Sequence, residues 1–115
     1  MAAKYDIVCD QGATFSRELA WLDDSSNPVN LTGYTARMQV RETVESSSAL
    51  LSLTTENSRI SLGGTNGKIT LLVSATDTAA VVAGHYVYDL EVVSGLGTVT
   101  RLIQGCFTVD AEVTR

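Results

Sequence analysis

Tyr34-Thr35-Ala36-Arg37-Met38-Gln39-Val40-Arg41 alternates apolar and polar residues along its whole length. Successive side chains of a strand point to opposite faces. Tyr34, Ala36, Met38 and Val40 therefore line one face, and Thr35, Arg37, Gln39 and Arg41 the other. One dry face and one wet face is the pattern of an antiparallel sheet packed on a core from one side. The same parity recurs in His85 to Val93, where Tyr86, Tyr88, Leu90 and Val92 share a face opposite Val87, Asp89, Glu91 and Val93. It recurs again in Lys68 to Val73, with Ile69, Leu71 and Val73 together.

Working outward, further strands are predicted over Tyr5 to Asp10, Thr14 to Leu22, Leu50 to Thr54 and Arg59 to Leu62. In the second of these, Phe15, Arg17, Leu19 and Trp21 share one face. The stem of Arg17 is expected to pack at the sheet margin while its head reaches water. Asp23-Asp24-Ser25-Ser26-Asn27-Pro28 is a turn by composition, so this strand and the short edge piece Val29 to Leu31 read as a hairpin. Asn66-Gly67 suits a tight connection with positive φ. Ser74 followed by Asp77 starts one short helical turn crossing between sheets, with Gly84 expected to end it. Ser94-Gly95-Leu96-Gly97 is a hairpin loop. Thr98 to Gln104 and Cys106 to Val109 follow it, with a bulge or bend expected at Gly105. The reading is all-β: one antiparallel β-sandwich domain over residues 1–115, with seven or eight strands, one helical turn and short extended termini.

With 115 residues, the chain has room for one core and little more. Eight basic against 13 acidic residues give a net charge of −5, which argues against a footprint on nucleic-acid phosphates. No run approaches the roughly 20 apolar residues of a membrane span, and Met1 to Asp10 does not have the form of a secretory signal. Neither nucleic acid nor membrane is therefore an expected partner.

Material for chemistry is sparse. His85 is the single histidine and has no Ser or Cys motif beside it, so no nucleophile–base pair is predicted. One His and two distant Cys do not make a zinc set, and the EF-hand spacing is absent around Asp6, Asp10, Asp23 and Asp24. No catalytic residue, cofactor or metal is expected. Cys9 and Cys106 fall in the first and last strands, which can be neighbours. A disulfide is geometrically open to them, and buried free thiols are the alternative preferred without an export signal. Asp89 and Glu91 share one face and could pair with Arg37 and Arg41 if their strands are adjacent. Val87, Val93 and Leu72 on otherwise wet faces suit packing against other subunits.

Several stretches resemble a family. Gln11-Gly12-Ala13-Thr14-Phe15 and Leu19-Ala20-Trp21 precede Pro28-Val29-Asn30-Leu31-Thr32-Gly33-Tyr34-Thr35-Ala36-Arg37-Met38-Gln39-Val40-Arg41. Ala83-Gly84-His85-Tyr86-Val87-Tyr88-Asp89-Leu90 and the closing Val99-Thr100-Arg101-Leu102 follow. Together they are similar to the immunoglobulin-like N-terminal domain of phage baseplate upper proteins and tail-fibre adaptors, and to small structural proteins of tailed bacteriophages. The resemblance implies an immunoglobulin-like sandwich, with Tyr86 as its tyrosine corner. It also implies a non-enzymatic virion protein at the tail, baseplate or fibre attachment, or a capsid decoration protein on the head. Such a protein assembles in the bacterial host cytoplasm, contacts other virion proteins in a symmetric assembly and is itself oligomeric there. The sequence ends at Arg115, so a stand-alone adaptor, neck, tail or decorating subunit is expected. Arg37, Gln39 and Arg41 are the expected polar contact face. Ala2, Ala3, Lys4 and Tyr5 are expected to order by adding to a neighbour's sheet edge. A carbohydrate-binding module is a further alternative, disfavoured because Trp21, Tyr34, Tyr86 and Tyr88 are assigned to the core.

Overall fold

A computed structural model describes residues 3–114. Its strands are β1 (Ala3–Lys4), β2 (Ile7–Asp10), β3 (Phe15–Ala20), β4 (Thr35–Arg41), β5 (Leu51–Thr54), β6 (Ile60–Leu62), β7 (Lys68–Val73), β8 (Gly84–Val93) and β9 (Val99–Asp110). One helix, α1 (Ala75–Ala79), joins β7 to β8. A larger sheet runs in the order β1-β9-β8-β4-β5, with β2 also on β9. The smaller sheet runs β3-β7-β6. The two sheets bury one apolar core in which Leu53, Leu71, Leu90 and Val92 are fully inaccessible.

The alternation read from the sequence places the core. Ala36, Met38 and Val40 face inward from β4; Tyr86, Tyr88, Leu90 and Val92 from β8; Ile69, Leu71 and Val73 from β7. Phe107 sits at the centre, edge-to-face with Phe15 (5.9 Å) and Tyr88 (6.2 Å).

Pairing between strands departs from the local reading in several places. The Asp23–Pro28 reversal exists, held by Asp23 N donating to Asn27 O (2.8 Å) and by a bridge from Leu22 to Pro28. The chain then crosses to the other sheet instead of completing a hairpin: β3 pairs with β7, and β4 with β5 and β8. The first strand is parallel to β9, which makes it the exception to the antiparallel rule. It is interrupted at Tyr5-Asp6, where the backbone crosses over Gly105. A Cβ there would lie 2.6 Å from Tyr5 O, so the glycine serves close approach and not a bulge. The bulge lies at Leu102 instead, because Leu90 pairs with Ile103 while Glu91 pairs with Arg101. Residue Gly67 takes the positive φ predicted for its turn (69°), whereas Asn66 belongs to a short 3-10 turn.

Helix α1 begins as expected, with Ser74 Oγ accepting from Asp77 N (3.2 Å). It ends at Ala79, short of Gly84, which opens β8. Thr78 fixes the helix to the core. Its hydroxyl is buried, donates to Ala13 O (2.8 Å) and accepts from Gly12 N (3.1 Å). Thr78→Val keeps the shape and leaves both backbone groups without that partner. We expect a loss of about 1–2 kcal/mol, read as a lower urea midpoint at unchanged slope.

Candidate interaction face

The outer face of the larger sheet is built from β4, β8 and β9 in register. Arg41, Val87 and Cys106 form one cross-strand row; Gln39, Asp89 and Gln104 the next; Arg37, Glu91 and Arg101 a third; Thr35, Val93 and Val99 a fourth. Directly opposed side chains on one face lie close enough to interact. Arg37 Nε meets Glu91 Oε1 at 2.9 Å, as the shared parity suggested. Arg101 Nε lies 3.5 Å from Asp89 Oδ2. Arg41 does not reach the carboxylates. It donates to Ser46 O and to Gln39 Oε1, both at 2.7 Å, and so ties the β4–β5 loop to the sheet. A shallow depression of about 230 Å³ lies among Gln39, Arg41, Val44, Asp89 and Gln104.

Arg37 and Gln39 are exposed and Arg41 is half-buried, so the structure brings these three predicted contact residues onto one face. Sequence reading missed Arg101 and Gln104 as part of it. The bulge at Leu102 shifts the parity of β9, and nothing local marks its position. The N-terminal prediction needs correction. Ala3 and Lys4 pair with Ile103 and Gln104 of the same chain, and Tyr5 N donates to Gln104 O (2.9 Å). This segment is ordered on its own sheet and needs no neighbour; Ala2 lies outside the described residues. Leu72, at 46% exposure, is the most accessible of the three apolar residues read as wet-facing, while Val87 and Val93 are half-covered.

The two cysteines face opposite ways. Cys9 is buried in the core and Cys106 is exposed on the outer face, so no disulfide joins them although their strands are neighbours. Burial first, then the charge of Asp10, pushes the Cys9 thiol up from its ordinary value. In the native chain, iodoacetamide should add one adduct, at Cys106, and a second at Cys9 only after unfolding in urea; mass spectrometry distinguishes the two. His85 is exposed at the sheet end, with Nδ1 3.2 Å from Thr108 Oγ1.

Where an antibody domain carries its inter-sheet disulfide, this chain has a different latch. Tyr86 Oη donates to Val82 O four residues upstream, which is the tyrosine corner. Two residues on, at the usual place of the second cysteine, stands Tyr88, whose hydroxyl donates to Tyr5 O. Burial first, then Tyr5 and Asp6, holds its phenol well above the ordinary value. Arg17 completes the latch from β3. Its guanidinium donates to Tyr5 Oη (2.7 Å) and lies over the rings of Tyr5 (5.9 Å) and Phe15 (5.6 Å).

These features define the class: an immunoglobulin-like β-sandwich in which β9, β8 and β4 form one sheet with an added β5, opposite β3, β7 and β6. No family model and no curated protein matches the chain. Among solved structures it is similar to Tim-1 (15% identity, TM-score 0.44) and Tim-2 (15%, 0.41), each over 100% of this chain and 99% of that one. A third likeness is to Drosophila OTK extracellular domains 3–5, at 14% identity and a TM-score of 0.38, over 90% of this chain and 32% of that one. The assignment stands on the strand order and the tyrosine corner, and these likenesses carry no function across.

Proposed function

We propose that this chain is a non-enzymatic structural protein of a tailed-phage virion, an adaptor at the tail, baseplate or fibre attachment. Its contact surface in this reading is the outer face of the larger sheet. The observation that carries the surface is the cross-strand ladder of Arg37, Glu91, Asp89 and Arg101, flanked by Gln39 and Gln104. Exposed pairs of this kind contribute little to folding stability. Their alternating sign instead suits orienting a partner and selecting against wrong ones. Val87 and Val99 add apolar area in the first and fourth rows. The virion setting comes from the motif resemblance, in which turns and core strands match and no catalytic residues are involved. Many copies in a symmetric assembly would bind by avidity through individually weak contacts.

Capsid decoration would use the same face, and location on the particle separates the two. A glycan-binding role is less well supported. Among the described residues no Trp, Tyr or Phe is exposed, and Trp21 packs edge-to-face on Tyr34 at 6.1 Å. Immunogold electron microscopy of purified particles tests the proposal. Label at the tail tip or neck supports the adaptor, and label over the head makes the chain a decoration protein. No label, with the chain absent by mass spectrometry, would overturn the virion reading.

A further inference from the structure

Immunoglobulin domains of the constant type place their first strand beside the second, in the sheet opposite β9. Here β1 and β2 lie on β9 instead, and among the described residues β3 is left at the edge of the smaller sheet with β7 as its only strand partner. Trp21 N donates to Gly67 O (2.8 Å), which sets the hydrogen-bonding parity of β3. Arg17 and Leu19 direct their backbone groups to β7, while Ser16, Glu18 and Ala20 direct theirs away. Among the described residues these outward groups have no backbone or side-chain partner. The edge holds no proline, and of its two charged side chains Arg17 turns to Tyr5 (2.7 Å) while Glu18 is engaged by Lys68 (3.1 Å). An edge with a row of unpaired backbone groups is a template for another strand.

Beside that edge the two sheets part to form a cleft of about 560 Å³, within the range of ligand sites. Leu19, Trp21 and Leu22 line it from the smaller sheet's side, and Leu102 from the larger, where the bulge turns it. The charged residues lining the cleft are Lys4 and Arg101, with no carboxylate among the lining, in a chain whose net charge is −5. Lys4 has no ion-pair partner among the described residues.

We infer that this cleft and the β3 edge bind an extended segment of another protein, apolar at alternate positions and carrying an acidic residue. The backbone of that segment pairs with Ser16, Glu18 and Ala20. Its alternate apolar side chains enter the cleft over Leu19 and Leu102, and its carboxylate meets Lys4 and Arg101. The edge donors and acceptors make the ligand a strand, the floor makes it apolar, and the rim makes it acidic. The inference rests on the reading above only in taking a protein as the partner. Arg101 borders both the strand site and the outer face, whereas Ser16, Glu18, Leu19, Ala20 and Lys4 belong to the strand site alone, so particle labelling and the experiment below can fail separately.

Trp21 is the single tryptophan, and it reports on the cleft directly. The probe is a short blocked peptide of alternating valine and threonine with glutamate at both ends. Titration should give a saturable blue shift of Trp21 emission, and amide exchange at Ser16, Glu18 and Ala20 should slow by about tenfold or more. Glu18→Pro removes an edge donor and should abolish both effects. Lys4→Glu changes an exposed residue and should weaken binding roughly threefold to fivefold without touching the fold. Unchanged emission at saturating peptide, exchange slowed on β5 or β6 instead, or equal binding by a lysine-flanked peptide would overturn the inference.

Discussion

Phe107→Ala is expected to destabilise the chain by about 3–5 kcal/mol, the range for removing a large buried aromatic. A domain of this size has about 5–15 kcal/mol in total, so the variant should retain little margin at physiological temperature. The reason lies in its position. Phe107 is 1% exposed and comes from β9, which carries the first strand on one side and β8 on the other. Its ring contacts Phe15 of the opposite sheet and Tyr88 of its own. Truncation opens a cavity where the two sheets and the Tyr88 latch meet, and none of these elements can collapse into it without moving a strand. Urea denaturation followed by Trp21 fluorescence measures the loss. A loss below about 1.5 kcal/mol would mean that the centre of the core lies elsewhere.

Gly105→Val should cost about 3 kcal/mol, at the upper end of what overpacking does, and should do so in a recognisable way. The added Cβ would meet Tyr5 O at 2.6 Å and Asp6 Oδ1 at 2.7 Å. Those are the atoms that fasten the first strand: Tyr5 O accepts from the Tyr88 hydroxyl, and Asp6 Oδ1 from Cys106 N (2.9 Å). Gly105 does not have a positive φ, so valine suits its strand backbone, and the whole effect comes from the clash. Lifting β1 and β2 uncovers Ile7 and Cys9, which are 1% and 2% exposed. Iodoacetamide should then reach Cys9 in the folded variant and not in the parent chain. Equal protection of Cys9 in both would contradict the account of this crossing.

Both sites show which kind of information is local. The strands β4, β7 and β8 were legible because a two-residue period writes its inward face directly into the sequence, as in Ala36-Met38-Val40 and Tyr86-Tyr88-Leu90-Val92. Ser74 with Asp77 marked the start of α1 for a similar reason, since a cap acts over three residues. Partner choice is not local. The turn after Trp21 has hairpin chemistry, yet β3 finds β7 some fifty residues on, because only that pairing closes the smaller sheet over Leu71 and Ile69. Gly105 carries the signal of a bulge or bend, while its small size serves the Tyr5–Asp6 crossing. The true bulge at Leu102 has no special residue to announce it.

The candidate face was half legible for the same reason. Arg37, Gln39 and Arg41 share a parity, and Glu91 proved to stand opposite Arg37. Arg101, Gln104 and Cys106 joined them only through the register of β9. The first strand was placed in the right part of the chain, beside the last strand as its cysteine suggested, and only Ala3 to Tyr5 pair with β9 of their own chain instead of a neighbour's sheet edge. Its polar crossing at Asp6 let it stay on β9 of its own chain, where Tyr88 holds it.

In the proposed adaptor the outer face of the larger sheet is buried in an assembly. Cys106 lies on that face in the row of Arg41 and Val87 and is exposed in the isolated chain. Its alkylation rate can be compared between the free protein and purified phage particles by quantitative mass spectrometry. Rapid modification of Cys106 in the free chain and strong protection in the particle are expected, with Cys9 protected in both. Equal rates at Cys106 in the two states would show that this face stays free in the particle.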